Sequence, residues 1–239
     1  MADSPFLTAR WSNLLLLTFE VAEDLLRSWI HPALEPDRWN GRTHVSLVAF
    51  DFLDTRVKGC RVPGFVNFPE VNLRTYVRHG ERRGVTFFRE LVPSRIVAAV
   101  ARGLYREPYL AADLKSRAIP DGSDLIVDHR WTVGGLRYRV TARGGEEICV
   151  PSPAGPEHHF KEHNWGFGAT RRGELLAYRV DHPVWPVRPL KSVDCQVDFG
   201  SLYGAEWSAL NHQAPVSVVL AVGSEVAVYA PVVESVSGS

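Results

Sequence analysis

At 239 residues, 45% hydrophobic and 23% charged, the chain has the make-up of a folded protein with a sizeable core, which excludes extended disorder except at its ends. Its 27 Lys and Arg balance 27 Asp and Glu, so the long-range field that gathers nucleic acid or anionic lipid is absent and neither is expected as a partner. The longest aliphatic run, Leu14–Leu17, is far short of the roughly 20 residues that span a bilayer, and no signal-peptide pattern accompanies it, so a cytoplasmic protein is expected.

Residues 1–239 read as a single domain, with its core at about 11–230 and a frayed tail at 235–239. Leu25, Leu26, Trp29 and Ile30 recur at helical spacing, predicting a helix over Glu23–Ile30 that stops before Pro32. Alternating or β-branched runs predict strands at Thr43–Leu53, Phe65–Arg78 and Gly84–Arg89. Pro93 suits the first turn of a second helix reaching Leu104, with Ile96, Val97, Val100 and Leu104 on one side. Further strands are expected at Leu125–Val133, Leu136–Ala142, Leu175–Val180, Val216–Val222 and Glu225–Val228, punctuated by Gly134-Gly135, Gly144-Gly145 and Arg172-Gly173. A short helix is read over Leu202–Leu210. Many strands, few helices and no βαβ alternation predict an α+β, mainly antiparallel β fold, a sheet curled on itself with two or three peripheral helices. Its exposed edge strands leave homo-oligomer formation open. Cys60, Cys149 and Cys195 are odd in number and widely spaced, which predicts free, buried thiols rather than a disulfide framework.

Three segments carry chemistry. In Glu70-Val71-Asn72-Leu73-Arg74-Thr75-Tyr76-Val77, strand alternation puts Glu70, Asn72, Arg74 and Tyr76 on one wholly polar face, which either lines a wet cavity or meets solvent. In His158–Gly168, the order His159, Glu162, His163 matches the H-x-x-E-H pattern of inverted zinc proteases, but that reading needs a helix. The interleaved Gly166 and Gly168 favour an extended stretch or turn, with His159, Lys161, His163 and Trp165 on one face and Glu162 on the other. The third segment, Tyr178–Pro186, reads as a rigid corner with Trp185 packed in the core. No G-x-G-x-x-G, P-loop or G-x-S-x-G pattern is present, and no cofactor is called for.

The stretches "FPEVNLRTYV", "FKEHNWGFG" and "YRVDHPVWPV", in this order and spacing, resemble the bacterial domain-of-unknown-function family 2071, an uncharacterised branch similar to acetoacetate decarboxylase. The resemblance runs from about Trp11 to Val228 and implies a cone-like β barrel enclosing a cavity. In acetoacetate decarboxylases a lysine of lowered pKa in a Pro-Lys-Lys context forms an imine with a β-keto acid. The similar stretch here is Glu107-Pro108-Tyr109-Leu110, and neither Tyr109 nor Leu110 can form one. Of the lysines, Lys115 lies several residues too late, and Lys161 is the better substitute if its face turns inward. Glu70 stands at a position similar to the glutamate lining the decarboxylase pocket, which favours the inward reading of the polar face. The expected partner is therefore a small organic carboxylate or carbonyl compound held by Asn72, Arg74, Tyr76, Tyr109, Lys161 and His163. Glu70 is the candidate acid or base, and proton-transfer chemistry without an imine is the alternative function.

Overall fold

The computed structural model describes residues 4–93 and 108–234. Its strands, in chain order, are β1 (Leu7–Val21), β2 (Glu35–Pro36), β3 (Thr43–Val57), β4 (Phe68–His79), β5 (Arg82–Val92), β6 (Tyr109–Ala111), β7 (Asp113–Asp121) and β8 (Asp124–Val133). They continue with β9 (Leu136–Gly144), β10 (Trp165–Ala169), β11 (Leu175–Asp181), β12 (Val187–Arg188), β13 (Leu190–Gln196), β14 (Ser217–Ala221), β15 (Glu225–Val228) and β16 (Val232–Val233).

Pairing closes a barrel. β1 lies between β3 and β15, β3 pairs with β4, β4 with β5, β5 with β10, β10 with β11, and β11 with β15. A second, antiparallel sheet of order β13-β9-β8-β7 packs outside this barrel. Strands therefore dominate, as expected.

β1 gives no strand signal in the sequence, because Leu14–Leu17 shows no polar alternation. The structure supplies the reason: both of its faces are covered. Leu15, Leu17 and Phe19 join the core between the barrel and the second sheet, while Leu14 and Leu16 join the core inside the barrel. A bulge between Ser12 and Leu15, with Asn13 at φ 52, re-aims the strand there, and Asn13 Nδ2 donates to Asp51 Oδ2 at 2.8 Å. β4 obeys the alternation: Val71 and Leu73 face the outer core, so its polar face turns inward.

The first helix spans Glu23–Arg27, and the last region divides into a short helix Phe199–Tyr203 and a 3₁₀ segment Ala205–His212. The helix expected at Pro93–Leu104 lies, beyond Pro93, outside the described residues, as does the tail 235–239. No described helix is long and apolar enough to cross a membrane. The three cysteines are free but exposed, against the expectation of burial. Cys195 lies on β13, which is exposed along its whole length, and Cys60 and Cys149 stand at isolated bridges.

β10 and β11 meet closely at Gly166, which faces Tyr178 across the ladder. A Cβ at this position would fall within the Tyr178 ring. Gly166→Ala is expected to lower unfolding stability by about 1–3 kcal/mol, read from the urea midpoint, because the ring must shift inside a packed wall. An unchanged midpoint would show that the wall yields.

Candidate ligand cavity

The barrel interior holds about 800 Å³ of free space, counting the solvent at its mouth, of which about 100 Å³ admits the centre of a water-sized group. β4 forms the polar wall. Glu70, Asn72 and Arg74 line the space and are buried. Glu70 Oε1 accepts from Asn72 Nδ2 at 3.0 Å, and Asn72 Oδ1 is buried without a partner among the described residues. Arg74 Nη2 donates to the Phe160 carbonyl at 3.1 Å, while its Nε is buried with no acceptor among the described residues. Tyr76 does not line the cavity. It is buried behind it, with its hydroxyl bonded to Ser46 and its ring against Phe160 and His163.

β5 adds Glu90 opposite Asn72, and β6 sets Tyr109 beside Glu90. Glu90 escaped the sequence reading because the expected strand ended at Arg89. The ladder also slips at Phe88, so Phe87 and Glu90 both face inward although they stand three residues apart.

The segment expected to be extended is a helix at Pro156–Lys161, begun by Pro156 in its first turn, and only Trp165–Ala169 is strand. This corrects the facing. Lys161, His163 and Trp165 line the cavity, whereas His159 turns to Arg83 and Trp39. The Lys161 side chain is fully buried and its ammonium is paired with Glu162 Oε1. Glu162 Oε1 also accepts from the Trp185 backbone N–H at 3.1 Å, and its other oxygen lies 3.7 Å from His182 Nδ1. Lys115, on β7 opposite Arg130, belongs to the outer sheet.

The His163 ring lies 5.0 Å from that of Tyr76 at a tilt of 37°, its Nε2 stands 3.9 Å from Asp37 Oδ2, and neither nitrogen makes a hydrogen bond among the described residues. Burial lowers its pKa to about 3 against the pull of Asp37, so it is a neutral imidazole at pH 7. Behind it, Arg83 Nε donates to Asp37 Oδ2 at 2.6 Å, and Arg83 Nη2 lies 2.8 Å from His159 Nδ1. Burial alone would raise Asp37, but His163 and Arg83 reverse this and hold it at about 2. Burial and then the Arg83 charge lower His159 to about 4.

These contacts break the zinc motif apart. Glu162 serves Lys161 and Trp185, far from a role as base between two histidines, and the Arg83 cation occupies the space between Asp37 and His159. Among the described residues no three His, Cys, Asp or Glu side chains converge as a metal site.

The remaining lining is aromatic and aliphatic. Trp11 from β1 packs edge-on against Phe50 at 5.3 Å, Phe52 at 5.8 Å and Trp185 at 5.5 Å, and Trp185 stacks on His182 at 4.4 Å. Trp185 is packed in the core, yet it also borders the cavity. Trp11 and His182 carried no signal in the sequence, since their facing depends on the bulge in β1 and on the corner after β11.

A closed barrel with a second sheet outside and a polar-walled cavity within defines an acetoacetate decarboxylase-like fold. Acetoacetate decarboxylase from Legionella pneumophila superposes with a TM-score of 0.64 at 16% identity, covering 97% of this chain and 88% of that one. An acetoacetate decarboxylase-like enzyme from Sphingomonas wittichii RW1 gives 0.64 at 12% identity, covering 98% and 95%. The enduracididine biosynthesis enzyme MppR, with HEPES buffer bound, gives 0.62 at 16% identity, covering 97% and 85%. These likenesses establish the fold. The family is narrower: residues 8–225 match the model of DUF2071, described as an uncharacterized conserved protein, and the chain belongs to that family. It is 33% identical over 117 residues to the uncharacterized protein YqjF of Bacillus subtilis (strain 168), a match covering 48% of each. The chain thus spans about half the length of that curated relative.

Proposed function

We propose that the barrel cavity binds a small organic carboxylate or carbonyl compound non-covalently, without a Schiff-base lysine at the position where Tyr109 stands. The observation that carries this reading is Arg74, a buried guanidinium on the cavity wall whose Nε has no acceptor among the described residues. A buried cation with an open donor costs stability unless an anion satisfies it, and a carboxylate matches the guanidinium fork. Lys161 adds a second cation, and neutral His163 and Asn72 add hydrogen-bonding groups without charge.

One observation favours a second reading, in which the same cavity carries out chemistry. Lys161 is buried in the cavity beside a carboxylate able to take its proton. With that proton on Glu162, the Lys161 Nζ lone pair can add to a ligand carbonyl carbon, and the oxygen leaves as water to give an imine. Glu70 is the candidate proton-transfer group in either chemical variant, with or without the imine.

A single experiment separates the readings. The protein is incubated with pyruvate, acetoacetate, 2-oxobutyrate and levulinate, with and without borohydride, and followed by thermal shift and intact mass. A saturable thermal shift without a covalent adduct is expected. A reduced adduct mapped to Lys161 would replace this reading with the imine enzyme, and no shift with any acid would overturn the carboxylate reading.

A further inference from the structure

The cavity carries its cationic and amide groups toward Arg74 and Asn72, while Glu70 and His182 share the other end with an aromatic wall that has the lining of a ring site. Along β3 and β4, Arg74 is paired with Ser46 and Glu70 with Phe50, so the backbone positions of Arg74 and of the aromatic wall stand four strand residues, about 13 Å, apart. At the far end Trp11, Phe50, Phe52 and Trp185 form one packed aromatic wall. Anchoring a carboxylate at Arg74 needs no such wall.

The wall also holds an orphaned donor. Trp11, Trp131 and Trp207 each carry a buried indole N–H without an acceptor among the described residues, and of these only Trp11 borders the cavity. Buried indoles usually find a partner.

We propose that the ligand is a small carboxylate bearing a single ring-sized apolar substituent with an oxygen acceptor at its far end, the ring lying against Phe50 and Phe52 and the oxygen taking the Trp11 N–H. This rests on the carboxylate reading above and narrows it to an aryl-substituted class. Ligand lengths at either extreme fit badly: a two- or three-carbon acid leaves the aromatic end empty, and a long acyl chain exceeds the span.

The test compares pyruvate, phenylpyruvate and 4-hydroxyphenylpyruvate, which share one head group, by titration calorimetry on the wild-type protein and on Trp11→Phe. Phenylpyruvate is expected to bind roughly 30-fold or more tighter than pyruvate, the gain from burying one ring face in apolar surroundings. The hydroxyl is expected to add about 3- to 10-fold in the wild type, and Trp11→Phe to remove that increment while leaving the phenylpyruvate gain. Should Trp11→Phe fold poorly, the wild-type order of the three ligands still decides. Pyruvate binding as tightly as both aryl acids would overturn the ring site and leave the carboxylate reading standing. Binding by none of the three overturns both.

Discussion

Replacing Arg74 by methionine is expected to abolish carboxylate binding, by on the order of 100-fold or more, while leaving the fold as stable as before. Truncating one partner of a desolvated charge pair typically costs about 2–5 kcal/mol of binding. The fold has less to lose. Arg74 is buried, makes one hydrogen bond to the Phe160 carbonyl, lies with its guanidinium 5.8 Å from the Tyr76 ring, and leaves Nε unsatisfied. Replacing a poorly compensated buried ion with an apolar side chain of similar shape is often neutral or stabilising. Methionine keeps the stem, so the unfolding free energy should stay within about 1 kcal/mol of the wild type. Binding measured with the oxo-acid panel and unfolding measured in urea must therefore separate. If affinity survives within a few-fold, Arg74 is not the anchor; if stability and affinity fall together, its role is structural. Arg74→Lys should recover part of the affinity, because an ammonium keeps the charge and loses the fork.

The split between an open charge and a stable scaffold follows from how the barrel is built, and part of that was legible beforehand. Period-two alternation in 70–77 displayed a polar face, and Val71 and Leu73 on the opposite side needed an apolar cover, which the outer sheet provides. What alternation cannot show is which face looks inward, because a polar face suits solvent and a wet cavity equally. The resemblance to a cavity-bearing family favours the inward face. Elsewhere the pattern was misleading for physical reasons. Glycines at 166 and 168 suggested extension through 158–168, yet the helix Pro156–Lys161 ends before them, and its last residue delivers Lys161 into the cavity. β7 and β13 escaped notice because edge strands exposed to water need no apolar stripe, as Lys191, Ser192 and Asp194 illustrate. Glu90 was hidden by a bulge that reverses the parity of β5, a feature set by pairing with β4 rather than by local composition.

Stability should fall steeply as the pH drops below about 6.5, and the cause lies beside the cavity. In the unfolded chain a histidine binds its proton near pH 6.5. In the fold, burial holds His163 at about 3 and His159 at about 4. Between these values the unfolded chain carries protons the native one refuses, so the stabilisation is complete above pH 6.5 and is lost as pH falls toward the folded values. Two such groups give a slope of up to about 2.7 kcal/mol per pH unit. His44 and His129, also lowered by burial, act in the same direction. Asp37 adds to the loss only between its ordinary range and about 2, and Glu23 and Glu234, lowered by their arginine partners, only below the ordinary carboxylate range, so the decline above about pH 5 belongs to the histidines. With total stabilities of about 5–15 kcal/mol in ordinary domains, acid unfolding is expected near pH 4 to 5. Urea midpoints taken from pH 8 to pH 4 check this, and a flat profile would mean the buried histidines are charged in the fold. His163→Gln should remove up to about 1.4 kcal/mol per unit from the slope. The same ring reports on the ligand: a carboxylate brought beside His163 favours its protonated form, so occupancy should make the acid decline shallower in the wild type and have less effect in His163→Gln.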